Sequence, residues 1–194
     1  MPPSDKRLHD LDAKSLRALA HPLRVRLLNA LRQYGPATAS QLAERLGESS
    51  GATSYHLRQL AEAGLIEDAP EHGKGRERWW RPAHHGVRIE NSEEFRNHPD
   101  AEVRDALDAW LRTLAAEHAL EVNTALAGIR DWPPEWRNRS TLSDFKVTLT
   151  PDLAYELYQR IYEVIRSYED RVPDDAEHAR KVRIHVHGFP LETE

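Results

Sequence analysis

One stretch of the chain, from Ser49 to Gly64, combines hydrogen-bonding side chains with a spacing typical of a helix. Serine is a favoured N-cap and glycine a favoured C-terminal stop, so the spacing predicts a helix with two defined ends. Its apolar residues fall on one face. The opposite face holds Ser50, Gly51, Ser54, Tyr55, Arg58 and Glu62. These side chains allow close approach and hydrogen bonding, and we interpret this face as a DNA-contacting surface.

The chemistry of this face differs along the helix. Arg58 is the residue type best matched to the edge of guanine, where a bidentate pair discriminates between bases by ~1–3 kcal/mol. Ser54 and Tyr55 suit contacts to phosphates. At the start of the helix, Ser50 and Gly51 can bring backbone N–H groups to a phosphate with the help of the helix dipole. An ordinary solvated helix face is the alternative for all of these residues.

Two more residues of the helix, His56 and Gln59, complete the predicted contact set. His56 lies between the two faces of the helix. Its position leaves a packed or capping histidine and a DNA contact equally open. Gln59 follows Arg58 and is included as a DNA contact.

The preceding residues predict three helices that would hold this one in place. The first runs from Leu11 to Ala20, and His21-Pro22 then starts a second, because proline fits a first helical position. A third begins at Thr38, where Thr-Ala-Ser-Gln forms a capping box, and stops at Gly47. Two helices joined by so short a glycine turn predict a helix-turn-helix.

After the glycine stop the pattern changes from helical to extended. A short strand at 65–67 and a returning strand at 76–81 enclose a glycine-containing turn, which predicts a hairpin. The hairpin carries Lys74, Arg76 and Arg78. Three helices followed by a basic hairpin predict a winged helix-turn-helix whose wing, residues 69–78, contacts flanking phosphates or the minor groove. A charged hairpin without a nucleic-acid partner is the alternative.

Residues 12–82 resemble the ArsR-type winged-helix transcriptional regulators. The resemblance is carried by Ala18-Leu19-Ala20-His21-Pro22-Leu23-Arg24, Gln41-Leu42-Ala43-Glu44-Arg45-Leu46-Gly47, Thr53-Ser54-Tyr55-His56-Leu57-Arg58-Gln59-Leu60, Ala63-Gly64-Leu65-Ile66-Glu67 and Gly75-Arg76-Glu77-Arg78-Trp79-Trp80-Arg81. It implies a homodimeric repressor or activator that binds a palindromic operator on double-stranded DNA. Glu48 departs from the family pattern, which has an aliphatic residue at this position.

The charge of the chain is divided unevenly. Residues 1–90 hold 14 Lys and Arg against 11 Asp and Glu, a net charge of +3, whereas residues 91–194 hold 13 against 21, a net charge of −8. A basic binding head on an acidic body gives this asymmetry. The sequence has no cysteine, no stretch with the ~20 apolar residues of a membrane span and no signal-peptide core. We therefore expect a cytoplasmic protein without a membrane partner.

The second half of the chain predicts a long helix and a small tail. The helix would start at 97–100 and run to about Gly128, roughly 40 Å, which a small head cannot cover alone. We expect residues 91–130 to contain a dimerisation helix and residues 1–90 to form the DNA-binding domain. In the tail, 131–194, alternation at 145–149 and 182–186 around a helix from Thr150 predicts a strand-helix-strand unit that serves dimerisation or effector sensing.

Histidines and aromatic residues of the second half invite a ligand hypothesis. His185 and His187 share one face of the last predicted strand, with His178 nearby, and imidazoles at that spacing can share zinc or nickel. Surface histidines on a polar strand face are commoner, so no metal or other cofactor is predicted. An aromatic set could line a pocket for a small-molecule effector, but we favour the core of the tail; it comprises Trp110, Trp132, Trp136, Tyr155, Tyr158 and Tyr162.

The sequence therefore predicts a mainly helical α+β chain with a winged helix-turn-helix head, a long dimerisation helix and a strand-helix-strand tail. Its predicted function is sequence-specific transcription regulation by a homodimer that reads a pseudo-palindromic operator. The alternative is a winged-helix protein-interaction module without a specific operator. No glycine-rich phosphate loop, nucleophile elbow or metal-hydrolase motif is present, so no enzymatic activity is expected.

Overall fold

A computed structural model describes residues 8–73, 77–84, 86–89, 92–168, 171 and 176–191 of the chain. The structure is a mainly helical α+β fold with small sheets. Its residues group into two units, 1–127 and 128–194, which are described separately below. None of the described helices is both long enough and apolar enough to cross a membrane.

The first two described helices have starts that are fixed by side-chain caps. Helix α1 spans Ala13–Leu19, and Asp12 caps it in a reciprocal capping box. Helix α2 spans Pro22–Tyr34, with proline at the first helical position as expected. The imidazole of His21 caps α2 by accepting a hydrogen bond from a first-turn N–H, 3.2 Å away. The helix ends at Gly35, whose φ of 87° favours glycine.

Two further helices are joined by a short turn. Helix α3 spans Ala39–Leu46 and starts with the predicted capping box at Thr38. It ends at Gly47, which lies in the left-handed region with a φ of 69°, where glycine carries no steric penalty. Helix α4 spans Ser50–Glu62, and the side chain of Ser49 caps it. The predicted caps and the helix-turn-helix geometry are thus present.

The described strands form two small sheets. They are β1 (Leu8–Asp10), β2 (Ala37–Thr38), β3 (Ile66–Asp68), β4 (Trp79–Pro82) and β5 (Gly86–Arg88). In one sheet β4 lies between β2 and β3 and is antiparallel to both, which makes β3 and β4 the two arms of a hairpin. In the other, β1 pairs in parallel with β5. Residues 8–10 thus pair with a strand far along the chain.

The core of the first unit lies between the helices and the three-stranded sheet. Helix α5 spans Ser92–Arg96 and helix α6 spans Ala101–Ala127. The first turns of α6 pack on α1, α2 and α5. Its buried residues are Val103, Ala106, Leu107 and Trp110. Beyond Trp110, none of the described residues of α6 is buried, and Leu120 is 61% exposed.

The described residues of the second unit include two α-helices and a 3-10 turn at Ile129–Asp131. Helix α7 is a short segment, Pro134–Arg137, and helix α8 spans Pro151–Arg166. The Thr150 side chain accepts a hydrogen bond from the N–H of Leu153, 3.3 Å away, and proline follows Thr150 as expected. No described residue of this unit is buried.

The predicted strands of the tail are not formed by the single chain. Residues 145–149 and 182–186 lie outside any helix or strand. A strand needs a partner for its backbone N–H and C=O groups, and the described residues of this unit supply none to either segment. The expected aromatic core of the tail is also absent, since Trp110 belongs to the core of the first unit and Tyr155 is 58% exposed.

Candidate nucleic-acid interface

The packing of one face of α4 on the core determines which of its residues lie on the outward face. Thr53, Leu57 and Leu60 are buried against the core of the first unit, which fixes the rotation of the helix. Ser50, Gly51, Tyr55 and Arg58 are exposed on the other side, and Ser54 is half-buried. The structure thus displays together the hydrogen-bonding side chains that the spacing predicts on one face.

Gly51 leaves open space at the start of this face. A Cβ atom added at Gly51 would have no heavy-atom neighbour within 4 Å. Packing within the chain therefore does not require glycine here. The missing side chain leaves the backbone of the first helical turn accessible to another molecule, next to the N-terminal end of α4 where the helix dipole favours negative charge.

Arg58 and Ser54 line a shallow groove between three elements. The N-terminal end of α3 contributes Thr38 and Ser40, and β4 contributes Trp80. Helix α4 contributes Ser54 and Arg58, and Glu77 and Arg78, just before β4, complete the lining. The start of α3 was not among the sequence-predicted contacts, because the capping box explains Thr38 without any ligand. The groove brings the helix start, a serine hydroxyl and an arginine side chain onto one accessible surface.

The predicted wing residue Arg78 is engaged within the hairpin. Its guanidinium donates two hydrogen bonds to the carboxylate of Asp68, one of them 2.7 Å long, and lies 4.0 Å from the centre of the Trp80 ring. The hydrogen bonds from Arg78 hold the pKa of the Asp68 carboxyl below its ordinary value, and Asp68 raises the pKa of Arg78. The charge of Arg78 is therefore balanced by a neighbouring carboxylate.

A second arginine of the hairpin is paired in the same way. Arg81 donates to Glu67 and Glu71, at 2.9 Å and 2.7 Å. The other two predicted wing contacts, Lys74 and Arg76, lie outside the described residues. Among the described residues of the hairpin, Arg78 and Arg81 are thus both paired with carboxylates.

The ring of His56 packs against the start of α2. Its ring lies against His21 at the start of α2, with 4.3 Å between ring centroids, and meets the ring of Tyr55 edge-on at 5.2 Å. Desolvation, followed by the charges of His21 and Arg24, lowers the pKa of His56. The geometry links this histidine to the packing of α4 on α2, one of the two alternatives that the sequence leaves open.

Gln59 belongs to a different groove from Arg58. It lies beside the ends of α1 and α4 with Lys14, Arg17 and Arg24, and its amide donates to Glu62 at 3.1 Å. The three cations of this groove were missed by the sequence reasoning, because each sits in a helical pattern that is also typical of a solvated face. Only the mutual packing of α1, α2 and α4 brings them together.

The turn between α3 and α4 is tied to α2 by an ion pair. Nη1 of Arg26 donates to Oε1 of Glu48 at 3.2 Å, and Nη2 donates to the carbonyl of Leu46 at 3.0 Å. Glu48 is the residue at which the sequence departs from the pattern of the regulators that it resembles. Here its carboxylate joins the turn to a neighbouring helix, a contact that an aliphatic side chain could not make.

The three histidines of the metal hypothesis make different contacts in the structure. The rings of His185 and His187 have centroids 6.1 Å apart. His178 has a positive φ of 66°, and its Nδ1 lies 3.2 Å from a carboxylate oxygen of Glu135. Its backbone carbonyl accepts a hydrogen bond from the indole of Trp136, 3.0 Å away. His178 thus contacts Glu135 and Trp136, and His185 and His187 are neighbours of each other.

Comparison with known proteins supports the assignment of the head. A family model described as a helix-turn-helix domain matches residues 19–69, about a quarter of the chain. This range includes α2, α3, α4 and β3. A search among curated proteins found no match. A helix-turn-helix domain indicates a DNA-binding regulator.

Proposed function

We propose that this chain is a sequence-specific transcription regulator of the ArsR type that binds double-stranded DNA as a homodimer. In this proposal α4 enters the major groove and the β3–β4 hairpin, with the turn at 69–78, acts as a wing on the flanking DNA. Helix α6 contributes to the dimer, because its second half extends beyond the core of one head. The function rests on binding, and no catalytic step is assigned to any residue.

The observation that carries the proposal is the outward face of α4. A helix held by three buried side chains presents a guanidinium, a phenol and two serine hydroxyls outward, directly after a three-residue turn from α3. The match of a helix-turn-helix domain to residues 19–69 supports the proposal that α4 contacts DNA. Arg58 is assigned to base recognition, and Ser54 and Tyr55 to phosphates.

A dimer would read two half-sites. Two-fold pairing places two recognition helices about one helical turn of DNA apart, ~34 Å, so the operator should be a pseudo-palindrome. A small-molecule effector would act by binding the DNA-competent spacing more or less tightly than another spacing. The second unit is the proposed receiver of such a signal.

The ion pairs of Arg78 and Arg81 within the hairpin favour one alternative function, which is protein interaction. Arg78 and Arg81 are paired with carboxylates, which leaves the described hairpin less basic than its sequence indicates. A helix-turn-helix used for protein interaction, with no specific operator, would tolerate this neutralisation. The two functions differ in what α4 contacts.

Selection of bound duplexes from a random pool separates the two functions. The regulator should enrich a pseudo-palindromic motif at moderate salt, and the Arg58→Ala variant should lose preference at one or two positions of each half-site. Enrichment of no motif by the wild-type protein would contradict the proposal and favour the interaction module. Repeating the selection with metal ions and small aromatic compounds tests for an effector.

A further inference from the structure

The second unit exposes more apolar surface than an isolated domain normally does. Fourteen of its large hydrophobic side chains are exposed, among them Phe145 at 83%, Val147 at 62% and Ile184 at 57%. Scattered single exposures are normal on a protein surface, whereas this number of large exposed side chains in one unit favours contact with a partner.

Residues 142–150 have the pattern of a strand but no partner strand among the described residues. Phe145, Val147 and Leu149 alternate with Asp144, Lys146 and Thr148. The segment carries one acid and one base, so its own charge does not oppose self-association. Alternation of this kind is stabilised when a second strand satisfies the backbone groups and covers the apolar face.

We infer that residues 142–148 pair antiparallel with the same residues of a second copy of the chain, across a two-fold axis at Phe145. The inference rests on the homodimer of the proposed function and assigns part of its interface to the second unit. A second copy is the partner that matches the segment in length, pattern and charge. Pairing about a two-fold axis uses the same surface on both copies.

The charges of the segment specify this register. With Phe145 on the axis, Asp144 of each copy lies opposite Lys146 of the other, so two opposite-charge pairs form per dimer. Antiparallel pairing centred on any other residue of the segment does not place these two residues opposite each other. The Phe145 side chains of the two copies meet at the axis, on the face that also carries Val147 and Leu149.

Charge exchange tests the register on the full-length chain. Asp144→Lys or Lys146→Asp alone places like charges opposite each other and should raise the dimer dissociation constant roughly tenfold by sedimentation equilibrium. Combining Asp144→Lys with Lys146→Asp restores opposite charges and should return the constant to near its wild-type value. Glu163→Lys, on the exposed surface of α8, makes the same change in net charge and should leave it unchanged.

The possible outcomes separate this inference from the DNA-binding proposal. A wild-type chain that remains monomeric at tens of micromolar, or a combined variant that dimerises no better than the single variants, would overturn the inference. Amide hydrogen exchange of the wild-type chain provides a second measurement: residues 144–146 should become protected as protein concentration rises. If this register is confirmed but no DNA motif is enriched, the inference stands and the proposed function fails.

Discussion

The imidazole ring of His21 lies against that of His56, with their centroids 4.3 Å apart, and so joins the start of α2 to the middle of α4. His21 uses Nδ1 to accept the N–H of Leu23, a contact that requires this nitrogen to be unprotonated. Desolvation, followed by the charge of Arg24, lowers the pKa of His21, and desolvation with the charge of His21 lowers that of His56. The folded head therefore binds protons at this pair less readily than the unfolded chain.

This pair predicts that acid weakens the head. Because both pKa values lie below the ordinary histidine value of 6.5, the pair's contribution to stability is present above that pH. It is lost as the pH falls from about 6.5 toward the lowered pKa values. The nearby carboxylate of Glu48 opposes the shift at both rings without reversing it. Urea unfolding followed by circular dichroism should give a lower midpoint at pH 5.5 than at pH 7.5.

A cap-preserving variant isolates the titration of His21. Asparagine is a good N-cap residue, so His21→Asn keeps an acceptor for the first turn of α2 and removes one titrating ring. The loss of stability between pH 7.5 and pH 5.5 should be smaller in His21→Asn than in the wild-type chain. An identical loss in both proteins would show that other groups cause the acid sensitivity.

The ion pair between Arg26 and Glu48 is expected to make a modest contribution to stability. Both side chains are about one-third exposed, at 35% and 32%, so solvent screens part of the attraction. Glu48→Gln should lower the free energy of unfolding by ~0.2–1 kcal/mol. In the Arg26→Ala background the same change should have little effect. Equal effects of Glu48→Gln in both backgrounds would contradict a direct interaction.

Release of Arg78 from Asp68 should strengthen binding to DNA of any sequence. Asp68→Asn removes the negative charge that balances the guanidinium, and the freed cation can then contact a phosphate. The dissociation constant should fall for specific and scrambled duplexes alike, and the salt dependence should steepen by about one counterion per protomer. Adding Arg78→Ala should abolish the gain. An unchanged salt dependence in Asp68→Asn would show that Arg78 does not reach DNA.

Gly51→Ala should change stability and DNA binding in opposite directions. Alanine in a helix is up to ~1 kcal/mol more favourable than glycine, and the new methyl group meets no neighbour within 4 Å. Thermal unfolding should therefore shift upward. If the backbone of this turn approaches a phosphate, the methyl group should weaken DNA binding several-fold in a fluorescence anisotropy titration. Unchanged affinity would place the DNA away from Gly51.

Local features of the head could be predicted from the sequence because each depends on neighbours within a few residues. The caps at Thr38 and Ser49 and the stop at Gly47 are set by side chains that bond within one helical turn. Helical periodicity also separates the buried residues of α4 from the exposed ones. These features are sufficient to identify the face that carries Arg58.

Contacts between distant residues could not be predicted in the same way. Periodicity shows which face of a helix a residue occupies but not what lies opposite it. Arg26 and Glu48 are 22 residues apart, and Arg88 and Asp10, which tie β5 to β1, are 78 apart. The sequence therefore predicts Arg78 as a DNA contact without showing that Asp68 balances its charge.

The second unit shows a different limit of prediction from the sequence. Alternation at 145–149 predicts a strand, but a strand forms only when another strand lies beside it. The single chain provides no such neighbour among the described residues. The alternating pattern thus indicates that this segment can form a strand. The strand forms only when a second strand is available to pair with it.

The most direct test of the account is the affinity of the wild-type chain and of Arg58→Ala for the selected operator and for a scrambled duplex at the same salt concentration. The wild-type chain should prefer the operator, and Arg58→Ala should lose ~1–3 kcal/mol on the operator for each half-site contact while changing little on the scrambled duplex. An equal loss of affinity for both duplexes, or no loss for either, would contradict base recognition by α4.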